Sequence, residues 1–136
     1  MRPFALFLSI LALSGSVLPL RADGLRNALD RDLDGYVMGS CLAQNNDATI
    51  KKQGEALAEA IVQRSHGDIQ NFLSLEKVIH DELAKSGVGV AHLDGPIASD
   101  LPLPILTCDE MRDRLTVQRA IGVARSKLRR DYGLTK

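Results

Sequence analysis

The sequence predicts an all-α fold: a small bundle of four to five helices with one disulfide and one long loop. Three observations carry this. Apolar residues recur at helical spacing through most of the chain after residue 24. The only two cysteines, Cys41 and Cys108, both fall on such apolar stripes. One segment alone, Gly87 to Leu106, breaks the helical pattern, and it holds Gly87, Gly89, Gly95, Pro96, Pro102 and Pro104.

The elements follow in order. Leu25, Leu29, Leu33, Tyr36, Val37 and Cys41 make one stripe of a helix over 25–43. Gly35 and Gly39 lower its propensity by up to about 1 kcal/mol each. Asn45-Asn46-Asp47 reads as a break followed by a cap. A second helix spans 48–64, with Ile50, Gly54, Leu57, Ala58 and Ile61 buried and Lys51, Lys52, Glu55, Glu59 and Gln63 solvated. Ser65 to Asp68 ends it and caps a third helix over 69–85, whose inner face is Phe72, Leu75, Ile79 and Leu83. Lys85 suits the negative end of that helix, and Gly87 suits the left-handed residue beyond it.

The Gly87–Leu106 segment then reads as a long irregular loop. Val88 to Leu93 has strand character but no evident partner. Loops of this length in compact domains are mostly functional or disordered. Leu101-Pro-Leu-Pro104 disfavours helix, because each proline restricts the residue before it. Thr107 and Glu110 are spaced as a capping box, which starts a helix there and puts Cys108 in its first turn. That helix is expected to run over 108–130, with a kink or restart near Thr116, and to end at Tyr132-Gly133.

Residues 1–22 read as a secretory signal peptide. Arg2 supplies the positive start, Phe4 to Leu13 the apolar core, and a cut falls after Ala22 or after Ser16. The apolar run is too short for a spanning helix, which needs about 20 residues. Residues 23–136 are then a single exported helical domain. Without Arg2 and Arg21 it has 15 basic and 17 acidic residues, a net charge of −2. That balance points away from nucleic acid and, after leader cleavage, from a membrane. In an oxidising compartment an isolated cysteine pair is most simply a Cys41–Cys108 disulfide.

Asp30-Arg-Asp-Leu-Asp-Gly35 has the opening of an EF-hand loop, but position twelve, which needs a bidentate glutamate, is Cys41. The same residues also read as the acidic side of the first helix. His66, His80 and His92 have no partners at metal-ligand spacing. There is no G-x-S-x-G elbow, no phosphate loop and no free cysteine nucleophile. The sequence therefore reads as a non-enzyme without metal or cofactor, a small exported binding protein with one conspicuous loop.

Two cysteine blocks, Tyr36-Val-Met-Gly-Ser-Cys-Leu-Ala43 and Leu106-Thr-Cys-Asp-Glu-Met111, separated by an alanine-rich helix over 54–62, carry a family resemblance. With its leader, the chain resembles the type VI secretion amidase immunity proteins, periplasmic partners of the fourth amidase effector family. The resemblance implies a helical homodimer. It also implies tight binding to a cognate peptidoglycan amidase effector, with a protruding loop blocking the papain-like cleft. Val88, Val90, His92, Leu93 and Asp94, within a segment over 88–100, are the expected partner-binding residues. Two other classes remain open: an exported calcium-binding or structural module, and a periplasmic adaptor.

Overall fold

The computed structural model describes residues 26–94 and 99–134. The expected signal peptide lies outside the described residues. The chain forms α1 (Ala28–Leu42), α2 (Ala48–Arg64), α3 (Gln70–Ser86), β1 (Val90–Leu93), β2 (Ser99–Pro102), α4 (Pro104–Arg112) and α5 (Leu115–Leu128). The helical reading holds, with five helices and a small two-stranded hairpin among the described residues.

The central element is α1, which packs against all four other helices. Its sequence explains the position. Leu29, Leu33, Tyr36, Val37 and Cys41 are buried, and so are Asp32 and Ser40 on the flanks of that stripe. Asn27 caps it, accepting the Asp30 N–H at 2.8 Å. Asp47 caps α2 through the N–H groups of Thr49 and Ile50. α3 ends at Gly87, whose φ of 68° is the left-handed conformation that glycine adopts without strain.

α1 and α2 approach until their backbones touch. A Cβ on Gly54 would collide with Ala43 N and lie 2.6 Å from the Leu42 carbonyl carbon; one on Gly39 would lie 2.7 Å from Ala58 N. The crossing therefore rests on two glycines that each weaken their own helix. Beyond the crossing, Ile61 joins the common core with Phe72, Leu75 and Ile79 of α3, Met111 of α4, and Val117, Ile121 and Leu128 of α5. Tyr36 meets Phe72 edge-to-face at 5.4 Å between ring centroids. Leu57, expected inside, is instead exposed at the surface of α2.

Three expectations need correction. First, 87–106 is not one irregular loop. β1 and β2 pair antiparallel, with Val90 opposite Pro102, Ala91 opposite Leu101, His92 opposite Asp100 and Leu93 opposite Ser99. Leu103 N donates to Gly89 O at 2.8 Å, so the next pair up the ladder, Val90–Pro102, is of the non-hydrogen-bonded kind. Pro102 has no N–H to offer, and at that position none is required.

Second, the fourth helix begins at Pro104 rather than at Thr107. Proline suits the first helical position, where its missing N–H would have no partner. Thr107 is inside the helix and donates its hydroxyl to Leu103 O at 2.8 Å, so it does not cap it, and Glu110 is exposed. Cys108 accordingly sits in the second turn. Third, the break between α4 and α5 comes at Asp113-Arg114, just ahead of the expected Thr116.

Candidate functional site

The site is assembled from the hairpin and what holds its foot. Cys41 and Cys108 are disulfide-bonded, with Cα atoms 5.6 Å apart, and both are buried. The bond joins the central helix to α4. Thr107, the residue before Cys108, is also buried, and its Oγ1 accepts the Gly89 N–H at 2.9 Å. A short chain of contacts thus runs from the core through Cys41, Cys108 and Thr107 to Gly89 and the first strand. The disulfide is consistent with an oxidising, extracytoplasmic compartment. Among the described residues no helix is long and apolar enough to cross a membrane.

The structure places the expected partner-binding residues along one segment. Val88 precedes β1 and is exposed; Val90, His92 and Leu93 are in β1; Asp94 follows it and is exposed. His92 Nδ1 lies 2.6 Å from Asp100 Oδ1 across the strands, with both side chains exposed. The pair ties the two strands on a solvated face.

Beside the expected Val90, the same surface holds three apolar residues that were not anticipated, Leu101, Ile105 and Leu106. Val90 and Leu101 in the hairpin are 46% and 50% exposed, and Ile105 and Leu106 at the start of α4 are 67% and 49% exposed. These are large apolar side chains gathered at one end of a small domain, a concentration that marks interaction surfaces. Two hollows run between them and the α1–α2 end, of about 620 and 430 Å³, and they share Ile50, Pro102 and Pro104. Leu101 to Leu106 is apolar throughout without helical or strand alternation. That run was the available signal.

The acidic motif of α1 is used otherwise. Asp30 accepts Arg125 Nε at 2.6 Å, Asp34 accepts Arg26 at 2.6 Å, and buried Asp32 accepts Arg64 at 2.9 Å through Nε and 2.6 Å through Nη2. The Tyr132 hydroxyl donates to Asp32 Oδ2 at 2.8 Å. Three carboxylates that an EF-hand loop would point at one ion instead leave a helix toward three different arginines. Among the described residues no group of three or more His, Cys, Asp or Glu is arranged to hold a metal. The network perturbs its tyrosine: burial first, then the hydrogen bond to Asp32, push the Tyr132 phenol up to about 12. Burial likewise raises Tyr36, against a lowering hydrogen bond from Ser40.

No protein-family model matches the chain, and no curated protein or solved structure is significantly similar to it.

Proposed function

We propose that this protein is a periplasmic immunity protein that binds a type VI secreted peptidoglycan amidase and lays its hairpin across the enzyme's cleft. One observation carries the reading: an exposed hairpin fixed at its foot by a buried disulfide and by Thr107. An inhibitory segment binds more tightly when its bound shape is already held, because less ordering is left to association. Val90 and Leu101 supply apolar surface to exclude water, and His92 with Asp100 supplies polar atoms to set register.

The periplasmic assignment rests on the leader over 1–22 together with the disulfide. The homodimer implied by the resemblance belongs to the same reading. Leu115 and Val123 on α5, both exposed and on a different element from the hairpin, are surface that a second copy could cover.

The direct test is to identify a small cysteine–histidine amidase among the products of neighbouring genes, mix it with the purified mature protein and follow peptidoglycan hydrolysis. The expected result is a stable complex and loss of hydrolysis at stoichiometric protein. Undiminished hydrolysis at excess protein would refute the reading.

A further inference from the structure

We propose that the apolar groove at the foot of the hairpin docks a segment of another protein that carries neighbouring apolar side chains with lysine or arginine beside them. Ile105, Leu106 and Leu101 expose large aliphatic surface, and Ile50 and Pro104 line the hollows between them. The combined space is of the size that takes a ligand or several side chains.

Charge selects the occupant. Among the described residues, the ionisable groups lining the two hollows are Asp47 and Asp109, and no Lys, Arg or His lines either. Asp47 accepts two backbone N–H groups, both on Oδ1. Asp109 is half-exposed and meets Arg112 at 3.2 Å, a solvent-screened pair within one helix that leaves the carboxylate accessible. An apolar centre with an acidic border is complementary to an apolar segment with a basic border.

The same charge disfavours the other occupants. An anionic lipid surface draws apolar side chains that have Lys or Arg beside them, the reverse of this lining. A second copy docked across a two-fold axis brings the same patch against itself, so one acidic border would face another and no lining Lys, Arg or His would offset them. The groove lies beside the hairpin and not on its strands alone. The inference therefore holds whether or not the hairpin's partner is an amidase.

The test uses the mature protein with methyl-labelled isoleucine and leucine. Two short peptides share one aliphatic core and differ in flanks, lysine in one and glutamate in the other. The expected result is that the lysine-flanked peptide shifts the methyl signals of Ile50, Ile105 and Leu106 and binds at least about tenfold more tightly than the glutamate-flanked one. Asp109→Asn, at an exposed position, should narrow that preference. Equal binding of the two peptides, binding of neither, or shifts confined to other methyls would overturn the proposal. So would shifts of the same methyls with phosphatidylglycerol vesicles, or with rising protein concentration alone.

Discussion

Thr107 Oγ1 accepts the Gly89 N–H at 2.9 Å and donates to Leu103 O at 2.8 Å, so one buried hydroxyl joins α4 to both strands at the hairpin's foot. Gly89 and Leu103 are themselves bonded backbone to backbone. Replacing the hydroxyl by a methyl group leaves the Gly89 N–H without its partner in a partly buried place. Thr107→Val should therefore destabilise the domain by about 1–3 kcal/mol. It should also speed hydrogen exchange in β1 more than in α2. Thr107→Ser keeps the hydroxyl and should restore slow exchange in β1. Equal exchange in wild type and Thr107→Val would show that the hydroxyl does not hold the hairpin.

The disulfide should matter by a larger amount. Cys41 and Cys108 are 67 residues apart in sequence, and closing a loop of that length contributes about 4 kcal/mol in the chain-entropy account. Replacing both by serine should lower the urea midpoint by the equivalent of about 2–5 kcal/mol. Mass spectrometry of unreduced, alkylated protein should find no free thiol in the wild type. Two alkylated cysteines in correctly exported protein would contradict the pairing.

Two glycines test the packing in opposite senses. Gly54 is where α2 touches α1, and a methyl group there would meet backbone, which cannot swing aside. Gly54→Ala should destabilise by about 2 kcal/mol or more, despite alanine's better helix propensity. Gly122, inside α5, has nothing within 4 Å of where its Cβ would be. Gly122→Ala should stabilise by about 0.5–1 kcal/mol. Thermal or urea unfolding of the two variants decides both, and a neutral Gly54→Ala would mean that the helices do not cross in contact.

Much of this architecture was legible before the coordinates. Asp47 as a cap, the bounds of α2 and Gly87 as the stop of α3 follow from local chemistry that a sequence displays directly, and the Cys41–Cys108 pairing from an isolated pair of cysteines behind a leader. The hairpin did not show itself, because β2 is exposed at all four positions and contains a proline, so it has neither alternation nor a strand-like composition. Its pairing comes from proximity to β1 and from the footing on Thr107, a contact 18 residues distant in sequence. Thr107 misled for a related reason. Its spacing from Glu110 fits a cap, yet Pro104 had already started the helix, which freed the hydroxyl for Gly89. The apolar surface of Ile105 and Leu106 was present in the sequence as a run without periodicity, the kind of signal that periodic analysis passes over.

The tyrosines give a pH signature. The chain has two, Tyr36 and Tyr132, and both phenols are raised, Tyr132 to about 12. An ordinary phenol ionises near 10. Because the folded value lies above the unfolded one, the stabilisation is complete below about pH 10 and is lost as pH rises through 12. Phenolate absorbance should therefore be well under half-developed at pH 10 in the folded protein, and about half-developed at that pH in denaturant. Half-ionisation at pH 10 in the native state would place both rings in ordinary solvent.

The central claim is that the hairpin is the inhibitory element, and an inhibition assay on a hairpin variant tests it most directly. The variant replaces His92, Leu93 and Asp94 by Gly-Ser-Gly, and is compared with wild type against the peptidoglycan amidase identified as its partner. Urea unfolding of the variant should show the helical body nearly as stable as in the wild type, since the core lies in the five helices. The expected result is inhibition weakened at least about tenfold, about 1.4 kcal/mol of binding free energy. Full inhibition by the variant, or none by the wild type, would contradict it.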